Sequence, residues 1–273
     1  MKNVALILAS GSGERFGHNI PKQFYELNGK TILEYSIEAF ENHEKIDEII
    51  LVTNPKFRDL AEEILKKNNY KKVSKLLNGG KTRVESSFIG TSEVEDGVNV
   101  LIHDAVRPFV DKDIIDRNIE ALEKYNAVGT AIKSSDTIIQ IDENGFVTQI
   151  PNRTFLRRVQ TPQSFKSELI KKAHKLALED SSASFTDDCG LVVKYNLDKI
   201  FIVEGSENNI KITTPEDLNV VKNILENFWC SKSLILHYTT YFQMWKDVIQ
   251  LQFTVRLKKR WKLKNIFMKK EKT

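Results

Sequence analysis

The stretch LILASGSGERFGHNIPKQF, residues 6–24, decides how this chain is interpreted. An apolar run passes into three glycines and then to Arg15 and Lys22, a pattern typical of a phosphate-binding loop between a strand and a helix. The loop is not a Walker A motif, because neither of the first two glycines has a glycine five residues later. It is not a dinucleotide fingerprint either, because the third glycine comes one residue too late. Another kind of phosphate loop and a plain glycine turn both stay open at this point.

The composition favours a cytoplasmic globular enzyme. The chain has 273 residues, of which 41% are hydrophobic and 29% are charged, as in ordinary soluble proteins. No apolar run reaches the roughly 18 to 20 residues of a membrane span. Cys189 and Cys230 are the only cysteines, which excludes a disulfide framework and the usual zinc spacings.

The charge of the chain is unevenly distributed. Residues 231–273 carry 11 Lys or Arg against 2 Asp or Glu, a net charge of +9, so the first 230 residues carry −5 of the total of +4. We therefore predict a catalytic domain over 1–228 and a basic, aromatic extension over 229–273. That extension suits contact with an anionic membrane surface or a partner, or it is a solvated tail; nucleic acid binding is the weakest reading.

Apolar runs alternate with amphipathic segments over the first 135 residues. This alternation predicts an α/β fold with a doubly wound, mostly parallel sheet. The predicted strands are 3–9, 46–53, 73–77, 98–105 and 126–133, and the predicted helices are 31–42, 56–68, 82–92 and 111–124.

The alternation breaks after residue 135. Residues 136–153 alternate with period two around the turn sequence DENG, which predicts a β-hairpin. We expect it to form an arm over about 136–160 that covers an active site or pairs with a second subunit. Further predicted elements are helices over 165–180 and over 186–195 with Thr186 as its cap, strands over 199–205 and 208–213, and a helix begun by Thr214, Pro215 and Asp217.

Polar residues follow several predicted strands. GGKTRVESS (79–87), IHDAVRPFV (102–110) and SSDTI (134–138) each place charged or hydroxyl side chains at a strand end. The carboxyl ends of parallel strands share one edge of a sheet, which is where open α/β sheets bind ligands. These segments and the glycine loop therefore predict one binding rim.

Eight blocks of the chain resemble the cytidylyltransferases that activate polyol phosphates with CTP. This family includes the methylerythritol-phosphate enzyme of isoprenoid synthesis and the ribitol-5-phosphate enzyme of wall and capsule polymers. The blocks occur in the family's order over residues 4 to about 225 and read LASGSGERFG, PKQF, GGKTRVESS, HDAVRPF, DTI, QTPQSF, TDD and NIKITTPEDL. The resemblance implies a Rossmann-like nucleotidyltransferase fold with a projecting arm.

The resemblance also implies a reaction and a set of site residues. A phosphate oxygen of the polyol attacks the α-phosphorus of CTP and releases pyrophosphate, with no need for a general base, since that oxygen is already ionised. The implied catalytic residues are Arg15, Lys22 and Lys211. The implied nucleotide-binding residues are Ala9, Ser10, Gly11, Gly13, Gly79, Gly80, Arg83, Ser86, Asp104 and Ala105, with Asp104 also binding Mg²⁺. The implied acceptor-binding residues are Arg107, Thr137, Arg153 and Thr186, with Arg153 reaching from the arm of a partner in a homodimer.

The acceptor is predicted from small departures in the motifs. Asn208 stands where the methylerythritol branch usually has an acidic residue, and the arm reads IPNR (150–153) where that branch usually has Asp-Arg. Both features favour D-ribitol 5-phosphate, with 2-C-methyl-D-erythritol 4-phosphate as the alternative.

Two other classes of function were weighed. A non-catalytic nucleotide-binding module would be expected to lose the charged site residues, which are all present. An NAD-linked oxidoreductase is disfavoured by the glycine spacing. Arg157 and Arg158 are interpreted as a solvated pair outside the site, and His103 as a packed residue rather than a base.

Overall fold

The computed structural model describes residues 1–12, 20–180 and 185–226. The chain divides into two compact units, Met1–Asp217 and Leu218–Thr273. Within the first unit lies a seven-stranded sheet with the order β11-β7-β10-β6-β1-β4-β5. Six of its strands are parallel and β10 is antiparallel to both of its neighbours. The strands of this sheet are β1 (Asn3–Ala9), β4 (Glu48–Thr53), β5 (Val73–Asn78), β6 (Asn99–Asp104), β7 (Ala127–Lys133), β10 (Arg157–Lys166) and β11 (Phe201–Glu204).

Six α-helices, two small hairpins and three short 3₁₀ helices, Lys22–Phe24, Pro55–Phe57 and Arg153–Phe155, are the other described elements of this unit. The hairpins are β2 (Glu26–Leu27) with β3 (Lys30–Thr31), and β8 (Gln140–Ile141) with β9 (Val147–Gln149). The helices are α1 (Ile32–Glu41), α2 (Arg58–Asn68), α3 (Arg83–Ser92), α4 (Lys112–Ala121), α5 (Ser167–Glu179) and α6 (Asp188–Lys194). Of the second unit, only residues 218–226 are described, and they are helical. The predicted boundary at residue 228 stays a prediction.

The central strand β1 is buried on both faces. Ala5 and Ile7 pack into a core that includes residues of α1, α2 and α4. Leu6 and Leu8 pack into a second core that includes residues of α5 and α6. A strand covered on both faces reads as a continuous apolar run, which is why NVALILA was recognisable. The predicted doubly wound, mostly parallel sheet is confirmed.

Helix starts follow local capping chemistry. Thr31 accepts a hydrogen bond from the backbone N–H of Glu34, whose carboxylate accepts one from the Thr31 N–H, so the two form a capping box. Thr82 caps α3 in the same way by accepting from the Glu85 N–H. The Thr82 cap matters for function because it fixes where α3 begins, directly beside Arg83.

Strand β10 was missed by the sequence analysis. Its sequence RRVQTPQSFK reads as polar, yet Gln160, Thr161, Gln163 and Ser164 are buried. Burial of polar groups is tolerated when they are hydrogen-bonded, and here the partners lie on other elements: Ser164 donates to the Asn118 side chain at 2.8 Å. The predicted helix over 165–180 was therefore wrong at its start, since Phe165 belongs to β10.

Two further predictions are corrected. Residues 208–213 do not form a strand; the Ile212 N–H instead donates to the Val106 carbonyl at 2.9 Å, which holds this segment in an irregular form beside β6. Thr186 is not the cap of α6, because Asp187 accepts the hydrogen bond from the Gly190 N–H. At the last helix, Asp217 accepts from the Thr214 N–H, which is half of the predicted capping box.

The predicted hairpin arm is confirmed. Strands β8 and β9 pair in antiparallel fashion, and Gly145 adopts a φ of +87° in the turn, a conformation that favours glycine. The Asp142 carboxylate accepts hydrogen bonds from the Asn144 and Phe146 N–H groups and fixes the turn.

None of the described helices is long and apolar enough to cross a membrane.

Candidate active site

The Asp104 carboxylate marks the centre of the candidate site. Asp104 is the last residue of β6 and is only 6% exposed. One of its oxygens accepts from Arg83 Nε at 3.0 Å, and the other lies 2.8 Å from Lys211 Nζ. The lysine side chain is 40% exposed, so its ammonium group faces both the carboxylate and open space. The predicted residues Arg83, Asp104 and Lys211 are thus brought together, although they lie far apart in sequence.

A second carboxylate holds Arg83 from the opposite side. Arg83 Nη1 donates to Asp188 at 2.7 Å, and the other Asp188 oxygen accepts from Ser87 at 2.5 Å. His174 Nε2 lies 3.6 Å from the same oxygen. Asp188 is fully buried at the start of α6, so it fixes the guanidinium from inside the fold. Asp188 was not among the predicted site residues; its only sequence signal was the TDD block.

The charge states of this cluster are set by competition between burial and pairing. Burial raises the pKa of the Asp104 carboxyl, but the charges of Arg83 and Lys211 outweigh it and hold that pKa well below its usual value. Burial lowers the pKa of the Arg83 guanidinium, and Asp188 and Asp104 more than reverse the effect. Asp104 is therefore ionised throughout the neutral range and serves as a fixed negative charge beside two cations.

The loop after β5 packs closely against the loop after β1. Ser10 Oγ donates to Ser86 Oγ at 2.7 Å, and the Gly80 N–H donates to the same Ser86 oxygen at 3.2 Å. A Cβ on Gly79 would lie 2.5 Å from the Ser10 Cβ, so only glycine fits there. The predicted nucleotide-binding residues Ser10, Gly79, Gly80 and Ser86 are therefore in direct contact, with the Ser86 side chain buried between the two loops.

Gln23 fixes the start of the glycine loop. Its side-chain amide donates to the carbonyls of Ala9 at 2.8 Å and Gly11 at 2.9 Å, and it is 1% exposed. The loop backbone is thereby held open at the end of β1. The PKQF block contains this residue, but sequence reasoning gave it no role. Lys22 lies next to it and is half-buried.

Arg107 has an internal role in the structure. It is 8% exposed and donates to the backbone carbonyls of Asn209 at 2.8 Å and Val159 at 3.4 Å. Asn209 in turn donates to the Thr161 carbonyl at 2.9 Å. These bonds hold the segment that carries Lys211 against β6 and β10. The predicted contact of Arg107 with an acceptor stays a prediction.

Of the other predicted acceptor-binding residues, Arg153 and Thr137 lie on the arm, whereas Thr186 lies two residues before Asp188, which pairs with Arg83. Arg153 and Thr137 are on the exposed arm, where Arg153 donates to the Ser135 carbonyl at 2.9 Å and lines a cavity of about 570 Å³. Thr186 is exposed beside the cap of α6. Ala105 lies beside the cluster, with its N–H bonded to the Leu8 carbonyl. Gly13 and Arg15 lie outside the described residues.

The sheet edge, the glycine loop and the paired cations define a class of protein. A backbone loop that can donate N–H groups, flanked by an ionised carboxylate with Arg and Lys, is what a nucleotidyltransferase needs to hold and neutralise a triphosphate. His103 is fully buried between Thr161 and the Arg107 carbonyl, so it is a packed residue, as predicted, and not a base at this edge.

Comparison with known proteins gives the family. The family described as IspD, 2-C-methyl-D-erythritol 4-phosphate cytidylyltransferase, matches residues 3–227. The enzyme of that name from Clostridium novyi is 43% identical over 227 residues, which cover 83% of this chain and 97% of the relative. The Clostridium tetani enzyme is 41% identical, with 83% and 92% covered.

Solved structures agree with the sequence comparison. The 4-diphosphocytidyl-2C-methyl-D-erythritol synthase of Anaerococcus prevotii superposes with a TM-score of 0.74 at 35% identity, covering 82% of this chain and 96% of that one. The Francisella tularensis 2-C-methyl-D-erythritol 4-phosphate cytidylyltransferase gives 0.68 at 29% identity, covering 81% and 98%.

This chain belongs to the IspD family of cytidylyltransferases. It is a nucleotidyltransferase that acts on a polyol phosphate. The predicted preference for ribitol 5-phosphate is not supported, because the relatives named above are methylerythritol-phosphate enzymes at 40% identity or more. Asn208 and the IPNR segment were therefore poor guides to the acceptor.

Proposed function

We propose that this chain transfers CMP from CTP to 2-C-methyl-D-erythritol 4-phosphate, with release of pyrophosphate, as a step of isoprenoid precursor synthesis. The observation that carries the proposal is the Asp104 carboxylate held between Arg83 and Lys211 beside the glycine loop. The names of the similar enzymes supply the acceptor.

The arrangement suits phosphoryl-type transfer by positioning and charge neutralisation. The attacking oxygen of the acceptor phosphate is ionised near neutral pH, so the site needs cations rather than a base. Lys211 is held by Asp104 through one contact and keeps other N–H donors for the α-phosphate. The backbone between Ala9 and Gly11 is proposed to bind the remaining phosphates, which its fixation by Gln23 supports. Arg15 and Lys22 are proposed to neutralise the triphosphate.

A magnesium ion fits this donor set. Mg²⁺ prefers hard oxygen ligands and is usually held by one or two carboxylates together with substrate phosphates and water. Within the part of the chain that the structure describes, no three His, Cys, Asp or Glu side chains are clustered to hold a metal, so Asp104 would be the protein's contribution. When bound, the ion would supply further charge neutralisation at the phosphates.

The arm supports a homodimer. Ile141, Phe146, Ile150 and Phe155 expose large apolar side chains, with Phe155 81% exposed. Isolated exposed apolar residues are ordinary, but several on one projecting element mark an interaction surface. A second copy of the chain would cover them and would receive Arg153 at its acceptor site. The proposed membrane-surface contact of 229–273 concerns residues outside those described.

The experiment is a pyrophosphate-release assay with the full chain, CTP and Mg²⁺. We expect release with 2-C-methyl-D-erythritol 4-phosphate and none above background with D-ribitol 5-phosphate. Replacement of CTP by ATP serves as the nucleotide control, and addition of EDTA tests the metal. Release with ribitol 5-phosphate alone would overturn the proposed acceptor. Silence with both acceptors would favour a non-catalytic nucleotide-binding module.

A further inference from the structure

The cavity at the base of the arm is lined by cations and hydroxyl groups. Its volume of about 570 Å³ is enough for a small phosphorylated polyol. No carboxylate is among the residues that line it, which are Lys133, Ser134, Ser135, Arg153, Thr154 and Arg157. Only Arg153 of these was assigned a role from the sequence.

Two of the cations face each other across the sheet. Lys133 at the end of β7 is directly opposite Arg157 at the start of β10. Like charges directly opposite one another in an antiparallel pair destabilise it, so such a pair calls for a compensating anion. Over residues 1–12, 20–180 and 185–226, no carboxylate lies within ion-pairing distance of Lys133, Arg153 or Arg157.

Arg158, the neighbour of Arg157, differs from it because Arg158 has a carboxylate partner. Arg158 follows Arg157 in β10 and pairs with both oxygens of Glu207 at 2.8 and 2.6 Å. The sequence analysis treated Arg157 and Arg158 alike as a solvated pair. The structure separates them, because one has its charge compensated by this chain and the other lines the cavity.

The cations are fixed by backbone contacts that leave most of their donors available. Arg153 donates one N–H to the Ser135 carbonyl, and Arg157 donates from Nη1 to the Thr154 carbonyl, both at 2.9 Å. Arg157 Nη1 also donates to the Leu156 carbonyl at 2.9 Å. A guanidinium has five N–H donors, so about four on Arg153 and about three on Arg157 remain for a ligand. The hydroxyls of Ser135 and Thr154 have no hydrogen-bond partner within the described residues and add two further donors.

We infer that Lys133 and Arg157 join Arg153 in a binding site for a phosphomonoester dianion, and that this site holds the phosphate of the acceptor. The inference rests on the proposed function. Three cations match the charge of a phosphate dianion better than that of a singly charged carboxylate ligand. Each arginine can also bind two phosphate oxygens at once through its guanidinium group. In the proposed dimer, the base of the arm presents the three cations to the other subunit as one unit.

The kinetic test uses the double variant Lys133→Gln/Arg157→Gln in the full chain. We expect the KM for 2-C-methyl-D-erythritol 4-phosphate to rise about tenfold, because each exposed cation contributes roughly threefold. The kcat and the KM for CTP should stay within about twofold. Raising the salt concentration should increase the acceptor KM of the wild type more than that of the variant, since exposed charges are screened.

Arg158→Gln is the matched control. This substitution removes a cation from the next position of the same strand. The charge of Arg158 is already paired with Glu207. We expect the acceptor KM of this variant to stay within about twofold of the wild type. An unchanged KM in the double variant, or an equal rise in Arg158→Gln, would overturn the inference.

A calorimetric titration with inorganic phosphate separates this inference from the proposed function. We expect wild-type protein to bind phosphate and the double variant to bind it about tenfold more weakly, whether or not either protein turns over an acceptor. If the wild type released no pyrophosphate with the methylerythritol substrate, the proposed function would fail. The titration alone would then decide whether the three cations form a phosphate site. Equal phosphate binding by both proteins would overturn the three-cation site.

Discussion

The strand-end cluster around Asp104 and the arm differ in whether their charged side chains are paired with opposite charges. At the strand ends, Asp104 and Asp188 pair with Arg83 and Lys211 within 3.0 Å, and three of these four residues are buried or largely so. On the arm, Arg153 is exposed and has no carboxylate partner within the described residues.

The apolar residues follow the same division. The sheet buries its apolar side chains in two cores, whereas the arm exposes Phe146 and Phe155. The difference fits the proposed function, in which the cluster around Asp104 forms the nucleotide half of the site within one chain and the arm forms an acceptor half that a second subunit completes. A second subunit would cover the apolar side chains that the arm exposes, and a phosphate would pair with its Arg153 cation.

Replacement of Asp104 should give the largest effect. Asp104→Asn keeps the shape of the side chain and removes the charge that holds Lys211 and Arg83. We expect kcat/KM to fall by about 10³, the usual result of removing a preorganised electrostatic partner at a reacting phosphate or acyl group. Steady-state pyrophosphate release over a range of CTP and Mg²⁺ concentrations measures this loss.

Asp116→Asn is the control for Asp104→Asn. Asp116 also pairs with two lysines, Lys45 at 2.7 Å and Lys112 at 3.2 Å, but it lies on α4 away from the strand ends. Its activity should stay within about twofold of the wild type, as surface ion pairs contribute little. Comparable losses in both variants would mean that Asp104 acts through stability alone.

A charge on the arm should separate the subunits. Phe155→Asp places a carboxylate where an 81% exposed phenyl ring would lie in the proposed interface. Loss of a buried aromatic anchor typically costs 2 kcal/mol or more, so the dimer dissociation constant should rise about 30-fold or more. Sedimentation velocity over a concentration series measures the shift, and activity should fall with the dimer fraction.

The control for Phe155→Asp is Val193→Asp. Val193 is an exposed apolar residue of α6, 64% exposed, and does not lie on the arm. We expect its sedimentation to match the wild type. A wild-type protein that sediments as a monomer at all concentrations would contradict the dimer directly.

The sequence predicted the strand-end half of the molecule better than the rest, for a physical reason. Strands such as β1 are buried on both faces, so their apolar runs are continuous and their ends are visible. Asp104 and Ser86 were predicted as site residues because Asp104 ends such a strand and Ser86 lies in the segment after another.

Strand β10 and Asp188 were missed because their stability depends on partners distant in the chain. Gln163 in β10 donates to Asp187 and accepts from the Asp188 N–H, contacts between segments about 25 residues apart. A polar local sequence does not predict such hydrogen bonds between distant segments. The predicted preference for ribitol 5-phosphate is not supported, and for a related reason, since a few loop residues carry too little information to choose between two polyol phosphates.

Acidification should lower the free energy of unfolding, an effect smaller than those of the substitutions above. Burial lowers the pKa of His174, and likewise lowers that of His103 to about 4, so burial favours the neutral form of both rings in the fold. Unfolded histidines take up protons below about pH 6.5, so the unfolding free energy should fall as the pH drops through that value. For His103 the loss is about 2 kcal/mol between pH 7 and pH 5. The lowered pKa of Asp104 adds no slope there, because its contribution is lost only below the usual aspartate range.

Thermal unfolding at several pH values between 7.5 and 5 measures this dependence. We expect the Tm to decrease steadily below pH 6.5. By NMR, the His174 ring in the folded protein should have a pKa below that of a histidine in the unfolded chain. A Tm that stayed constant or rose on acidification would show that these histidines are charged in the fold.

Removal of the Ser86 hydroxyl should give the smallest effect and the most local one. Ser86 Oγ accepts from Ser10 and from the Gly80 N–H and donates to the Thr82 carbonyl at 2.8 Å, so it ties the two nucleotide-binding loops together. Ser86→Ala should cost about 1 kcal/mol of stability and raise the KM for CTP roughly threefold to tenfold, with the acceptor KM unchanged. Ser92→Ala is the matched control, because Ser92 lies on the same helix and donates to the Phe88 carbonyl, yet contacts neither loop. If Ser86→Ala raised the acceptor KM instead, the division of the site into a nucleotide half at the strand ends and an acceptor half on the arm would be wrong.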